Sequence, residues 1–247
     1  MKRLNLRFRI AKELLAGMYW YLLPLCICWA IFGLLLVLHG KTGSFSLFNS
    51  YPTETRDRVL SFLTELSSGI VLVSIFILAL CRSRPVETIL GVSCVFIAWY
   101  VCITIKYNVF ADWKSPERVF GAAHIHLLKS HLQPELNFPS AHAAIIAALS
   151  TYLAWFYRGM PAKLCLILFI AMFLTILHIF AGWAFVDDVL AGSILGTVCC
   201  LLSIWWLHKR IARWYEHRNY WWQGIIIAIF RTTAICLLLF SLKYVAL

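Results

Sequence analysis

A short stretch near the middle of the chain, "NFPSAHAA" at residues 137–144, places hydrogen-bonding and titratable side chains at the start of an apolar run. Ser140 stands where an N-cap residue would stand, and His142 falls in the first turn of the helix that the run predicts. A helix N-terminus carries unpaired N–H groups and a partial positive charge, which suit a phosphate group. The stretch therefore predicts a helix start that could bind a phosphate group, with the titratable imidazole of His142 in its first turn.

Further ionisable residues are predicted at the same end of the fold. They are Lys106, Lys114, Arg118, His178, Asp187 and Asp188. Taken singly, Ser140 could serve only as a cap, His142 could be an ordinary helix-end histidine, and Asp188 could be a favourable first-turn carboxylate. Their occurrence together favours a functional site.

The composition indicates which elements hold these residues. The chain has 247 residues, of which 62% are hydrophobic and 13% are charged, whereas a soluble domain has about 25% charged residues. Long runs with almost no charge recur along the sequence, so we expect an all-α polytopic membrane protein. Nine cysteines lie in or beside apolar runs, where they serve as small buried residues.

Seven apolar spans are predicted, with no repeat or linker between them, so the chain is interpreted as one membrane domain, residues 1–247. The spans cover residues 18–39, 67–81, 86–105, 138–157, 162–183, 188–207 and 224–242. The first run is too long for a signal peptide and is expected to be retained. The segment "YPTETRDRVLSFLTELSSG" predicts an interfacial amphipathic helix before the second span.

The net charge of +11 is explained by membrane topology. Basic residues concentrate at the N-terminus and after the second, fourth and sixth spans, which lie on one side if every span crosses. By the positive-inside rule that side, with the N-terminus, is cytoplasmic. This distribution argues against nucleic-acid binding.

The loop at residues 106–137 is also basic, although it falls on the non-cytoplasmic side, and an anionic ligand would explain that exception. Its histidines, His124, His126 and His131, have a spacing that fits an interfacial segment better than a metal site.

Two motifs together resemble the type 2 phosphatidic acid phosphatase superfamily of membrane lipid phosphatases and phosphotransferases. That family's middle motif is Pro-Ser-Gly-His, and this chain has Pro139, Ser140, Ala141 and His142. Its last motif has an arginine, a histidine six positions later and an aspartate four further, running into Val-Leu-Ala-Gly. The resemblance covers about residues 55–207, and the run at 224–242 is an additional C-terminal helix.

Anchoring the last motif on Asp188 places His178 at the arginine position and Ala184 at the histidine position. The resemblance implies that the histidine at this position attacks phosphorus and forms a phosphohistidine, while the aspartate orients it. It further implies that His142 acts as the general acid and base and that Ser140 binds phosphate. Alanine has no lone pair, so we expect this chain to be inactive.

The family's first motif, Lys-x6-Arg-Pro, is degraded. Lys106 matches its lysine by context, but Trp113 stands where the arginine would be. Lys114 or Arg118 could supply the second cation, and the spacing does not choose between them. His178 is expected to hold phosphate less firmly than arginine, because a neutral imidazole offers one donor where a guanidinium offers five.

Two explanations of Ala184 remain open. Either the natural protein binds a lipid phosphate without catalysis, or its natural residue is histidine and this chain carries a His→Ala change. The second needs the fewest events, because an aspartate that has lost its partner is costly to keep in a membrane protein. A third possibility, His178 acting as the nucleophile, is less favoured because His178 should lie deeper.

The resemblance implies that the protein with histidine at position 184 removes phosphate from a lipid phosphate or pyrophosphate at the non-cytoplasmic face of a membrane. Candidate substrates are polyprenyl pyrophosphate, phosphatidylglycerol phosphate, phosphatidate and the phosphate groups of lipid A, and transfer to a second lipid uses the same residues. No metal or cofactor is implied. The family suggests a bacterial inner membrane with the site facing the periplasm, and the sequence does not indicate an oligomeric state.

Overall fold

The computed structural model describes residues 16–49, 54–121, 125 and 136–245, and the helices among them follow the apolar runs of the sequence. In chain order they are α1 (Tyr19–Asn49), α2 (Glu54–Leu66), α3 (Gly69–Leu80), α4 (Pro85–Asn108), α5 (Pro116–Phe120), α6 (Ala141–Phe156), α7 (Pro161–Phe180), α8 (Val186–Glu216) and α9 (Tyr220–Val245). Each predicted span therefore contains a helix. Over the described residues, the fold is all-α, as predicted.

Five of these helices, α1, α4, α7, α8 and α9, are long and apolar enough to cross a membrane. The apolar parts of α2 and α3 make a sixth candidate span that is bent by 60°. Helix α6 is apolar but has 16 residues, about 24 Å at 1.5 Å per residue, and it is largely buried inside the bundle. The interfacial helix predicted before the second span corresponds to α2.

Helices α1 and α8 extend furthest beyond the predicted spans. Helix α1 continues to Asn49 across a break at Gly40, whose φ of 66° and ψ of −177° redirect the chain. Helix α8 starts two residues earlier than expected and runs to Glu216, because the basic segment after residue 207 contains neither glycine nor proline. Residues 41–49 are thus helical rather than part of a loop.

Helices α4, α6 and α8 form the centre of the bundle, and glycines allow α8 to approach α6 closely. A Cβ atom on Gly192 would lie 2.3 Å from the carbonyl oxygen of Ser140, and one on Gly196 would lie 2.2 Å from that of Ala144. No side chain fits at these distances, so both positions need glycine. Gly192 is the last residue of the motif "DDVLAG", which gives that glycine a packing role.

Hydrogen bonds between helices reinforce the same centre. The Tyr21 hydroxyl is 2.7 Å from Ser150 Oγ and 3.2 Å from Thr151 Oγ1. Thr151 Oγ1 is in turn 3.3 Å from Thr197 Oγ1. This chain of hydroxyl groups links α1, α6 and α8, and satisfies polar groups that have no access to water. Helix α9 lies outside the centre and packs on α3.

The close contact between α6 and α8 predicts that Gly192→Ala and Gly196→Ala destabilise the protein. Each added methyl group would meet backbone atoms, and overpacking of this kind typically costs about 1–3 kcal/mol. Thermal unfolding in one detergent, followed by tryptophan fluorescence, measures the effect. The matched control is Gly33→Ala, at a helical glycine with no heavy atom within 4 Å of the added Cβ. Equal melting temperatures for all three variants would contradict the prediction.

Candidate functional site

The start of α6 has the predicted cap. Ser140 is buried, and its Oγ accepts a hydrogen bond from Ala143 N at 3.4 Å. Its own N–H donates to the backbone oxygen of Asp188 at 3.0 Å. Ala141 is the first helical residue, and His142 is exposed in the first turn. The backbone bond between Ser140 and Asp188 therefore joins the two motifs directly.

Asp188 is 1% exposed and lies in the first turn of α8. One of its carboxylate oxygens, Oδ2, accepts hydrogen bonds from Phe185 N at 3.0 Å and from Asn137 Nδ2 at 3.3 Å. Asn137 Nδ2 also donates to the carbonyl oxygen of Trp183. The other oxygen, Oδ1, accepts no hydrogen bond from the described residues. The carboxylate is thus held firmly through Oδ2, while Oδ1 has no hydrogen-bond donor among these residues.

Lys41 compensates the charge of Asp188, and it was not identified from the sequence. Its Nζ lies 3.0 Å from Asp187 Oδ2 and 3.8 Å from Asp188 Oδ1. The same ammonium lies over the rings of Trp113 and Phe185, 4.5 Å and 4.4 Å from their centroids. The sequence signal that could have identified Lys41 is its position directly after Gly40, at the end of the first apolar run.

These contacts change the argument about Ala184. The case for a His→Ala change assumed that Asp188 would have little to hold it in the absence of histidine. That premise is wrong, because Asn137, Phe185 N and Lys41 all interact with the carboxylate. The retention of Asp188 therefore does not favour the His→Ala explanation over the other.

His178 reaches the site from the end of α7. It is 2% exposed, as its expected depth implied, and its ring centroid lies 4.9 Å from that of His142 and 5.7 Å from that of Trp183. Its Nδ1 lies 2.9 Å from the carbonyl oxygen of Leu174, which can only accept, so Nδ1 carries the proton. Its Nε2 has no hydrogen-bond partner among the described residues.

Lys106 lies in the last turn of α4 and is 4% exposed. Its ammonium interacts electrostatically with Asp188 and His142. One turn earlier, the Cys102 thiol donates to the carbonyl oxygen of Pro139 at 3.5 Å. This contact packs the end of α4 against the loop that leads into α6, and so places Lys106 at the site.

Lys114 and Arg118 line a cavity of about 620 Å³ together with Ala111, Asp112 and Leu136. An isolated β-bridge pairs Lys114 with Leu136, the residue before Asn137. The cavity lining is therefore next to the segment that carries Asn137, whose side chain reaches Asp188. The structure does not choose between Lys114 and Arg118, because both line the same space.

Ala184 is 2% exposed and belongs to an apolar cluster with Ala143, Phe185 and Val189. The position at which the resemblance expects a nucleophile therefore holds a buried methyl group.

No group of three or more His, Cys, Asp or Glu side chains in the described part of the chain could hold a metal ion. His124, His126 and His131 lie outside the described residues, so the prediction about them is not tested.

Comparison with known proteins supports the family resemblance. Residues 108–212 match the family model of the PAP2 superfamily, the type 2 phosphatidic acid phosphatase superfamily named above. A crystal structure of Aquifex aeolicus LpxE shares the fold with a TM-score of 0.55 and 23% sequence identity, over 65% of this chain and 92% of that chain. No curated protein matches the chain. The resemblance is therefore confirmed, with Lys41 and Lys106 outside the matched segment.

The geometry around Asp188 predicts that Asn137→Ala destabilises the site. The substitution would remove donors to a buried carboxylate and to the carbonyl oxygen of Trp183, and a lost partner of this kind costs about 1–3 kcal/mol. Thermal unfolding of the purified protein measures the loss. The matched control is Asn108→Ala, at an exposed residue that bonds only one carbonyl, that of Thr104, within its own helix. Equal stability of both variants would contradict this account of Asn137.

Proposed function

We propose, on the premise that residues 108–212 form a PAP2-type core, that this site binds the phosphate or pyrophosphate of a membrane lipid. The observation that carries the proposal is the hydrogen bond from Ser140 N to the backbone oxygen of Asp188. It brings the N-terminus of α6, with His142, beside the carboxylate that opens α8. The family and the fold support membrane lipid phosphatase activity for the protein with histidine at position 184.

In this proposal the free N–H groups at the start of α6 and the ammonium of Lys106 bind the phosphoryl oxygens. His142 is exposed in the first turn, so it can donate a proton to the leaving oxygen and later activate water or an acceptor lipid. His178 stands at the position of the family's arginine, and it offers an imidazole ring to the phosphate where arginine would offer a guanidinium.

The proposed reaction lacks its nucleophile in this chain. In the mechanism that the family implies, a nitrogen lone pair at position 184 attacks phosphorus while Asp188 orients the imidazole. Ala184 provides a methyl group, so no phosphohistidine forms there. We therefore propose that this chain binds a lipid phosphate and does not hydrolyse it through residue 184. With histidine at position 184, the protein would act as a phosphatase, or as a phosphotransferase when the acceptor is a lipid.

The site is proposed to face the non-cytoplasmic side, which in a bacterial inner membrane is the periplasm. The basic residues at the opposite end of the bundle support this orientation. There Gly159 N donates to Gly17 O at 2.9 Å, and the rings of Trp155 and His208 lie 5.1 Å apart. The basic residues Arg158 and Lys163 occupy that end, as the positive-inside rule requires of a cytoplasmic face.

The cavity lined by Lys114 and Arg118 is proposed to hold the polar head of the lipid. Two cationic side chains attract phosphate, while Asp112 in the same lining adds a negative charge or an acceptor. The cavity therefore suits a head group that combines anionic oxygens with hydroxyl or amino groups.

The proposed phosphatase chemistry predicts that Ala184→His gains activity that the present chain lacks. Both proteins are purified and incubated with polyprenyl pyrophosphate, phosphatidylglycerol phosphate, phosphatidate or lipid A, with and without an acceptor lipid. Released phosphate and phosphorylated acceptor are measured separately, which distinguishes hydrolysis from transfer. Adding His142→Ala to the histidine variant should lower its rate by about 10²–10⁴-fold, the usual contribution of a general acid.

Two results would contradict parts of this proposal. Turnover by the present chain would show that residue 184 is not needed. Binding of lipid phosphate by both proteins without turnover by either would leave a binding protein, and would exclude the phosphatase.

The cavity predicts a separate effect on affinity. Lys114→Gln and Arg118→Gln should each weaken binding of short-chain phosphatidate in detergent by about 10–100-fold, since a hydrogen bond to a charged group contributes about 1.5–3 kcal/mol. Asp112→Asn should strengthen it, because a repulsive charge is removed. Titration calorimetry measures the three constants, with Lys163→Gln at the opposite end as the control. Unchanged affinity in all three variants would rule out the cavity as the head-group site.

A further inference from the structure

We propose that Lys41 replaces the missing histidine as the partner of Asp188, and that its charge makes the site able to accept an anion. Lys41 is a positioning residue in this proposal, because it acts on the phosphate through the carboxylates that it neutralises. The inference rests on the proposed function, and it concerns a residue outside the segment that matches the family.

The first argument concerns the two oxygens of Asp188. Oδ2 is occupied by Phe185 N and Asn137, whereas Oδ1 accepts no hydrogen bond from the described residues and faces Lys41 Nζ at 3.8 Å. The resemblance places the histidine partner of this carboxylate at position 184, directly before Phe185, whose backbone N–H binds Oδ2. Lys41 therefore compensates the oxygen that is left open in the absence of an imidazole.

The second argument concerns the net charge at the start of α8. Asp187 and Asp188 are adjacent carboxylates, and together they would repel a phosphate group. Lys41 lies close to both, 3.0 Å from Asp187 Oδ2, and Lys106 adds a second positive charge near Asp188. These two basic side chains offset the two carboxylates, and the N–H groups of α6 can then bind an anion.

The third argument concerns how the fold delivers Lys41. The break at Gly40 turns the end of α1, and residues 41–49 continue as a helical segment across the loop before α8. Phe45 is 1% exposed and lies 5.3 Å from Phe185 between ring centroids. Asn49 Nδ2 donates to the carbonyl oxygen of Phe180 at 3.1 Å. The segment is therefore fixed at both ends of the loop that contains position 184.

The alternative is an ordinary ion pair at a membrane interface. A pair of this kind contributes little when both side chains are exposed, and it would be insensitive to residue 184 and to ligands. Here one carboxylate is buried, and the ammonium also lies against two aromatic rings. The two accounts differ in whether Lys41 and residue 184 depend on each other.

A double-mutant cycle tests this dependence. Melting temperatures are measured for the present chain, Lys41→Met, Ala184→His and the double variant in one detergent. Lys41→Met should lower the melting temperature by several degrees when residue 184 is alanine, and by clearly less when it is histidine. Equal decreases in the two backgrounds would overturn the replacement.

Phosphate affinity provides a readout that a purely structural role would not change. Binding of short-chain phosphatidate should weaken by about tenfold in Lys41→Met and be retained in Lys41→Arg, which preserves the charge. If Lys41→Met fails to fold, the comparison of Lys41→Arg with Lys41→Gln takes its place. Lys163→Met is the matched control, because Lys163 also lies over an aromatic ring, 4.6 Å from the centroid of Tyr157.

The outcomes separate this inference from the function on which it rests. If Lys41→Met binds as tightly as the present chain while Lys114→Gln binds more weakly, the lipid-phosphate site stands and the role of Lys41 is wrong. If the present chain does not bind phosphatidate or any other lipid phosphate tested, the proposed function fails, and the inference with it.

Discussion

The backbone contact between α6 and α8 is the constraint on which the rest of the site depends. Gly192 and Gly196 allow α8 to lie against the carbonyl groups of Ser140 and Ala144, at distances that exclude a side chain. This approach allows Ser140 N to reach the backbone oxygen of Asp188. The N-terminus of α6 and the first turn of α8 consequently share one end of the bundle. The same backbone contact therefore sets both the packing of α6 against α8 and the geometry of the site.

Charge balance at that end is a second requirement, and distant parts of the chain meet it. A buried carboxylate in a membrane protein is costly unless hydrogen bonds and counter-charges compensate it. Asp188 receives donors from Asn137 and Phe185 N, and positive charge from Lys41 and Lys106. Lys41, Lys106 and Asn137 come from α1, α4 and the loop before α6, and Phe185 comes from the loop before α8, so four parts of the chain converge on this carboxylate.

The sequence predicted the helices well because apolar runs are local signals, and each run is a helix in the structure. It predicted that His142, Asp188, His178 and Lys106 lie at one end, because alternation of spans fixes which ends meet. It missed Lys41, because a contact between the first helix and Asp187 depends on the turn at Gly40, whose angles no spacing rule supplies. The choice between Lys114 and Arg118 failed for a different reason, since both line one cavity.

Binding and attack are separable in this architecture. The groups proposed to hold phosphate are backbone N–H groups and cations on helices that pack whether or not residue 184 is titratable. Ala184 itself sits in an apolar cluster, where a methyl group is well accommodated. Loss of the attacking atom therefore leaves the cap, the carboxylate and its counter-charges in place. The proposed lipid-phosphate site can therefore hold its shape in this chain without a nucleophile, because Lys41, Asn137 and Phe185 N interact with Asp188 in its place.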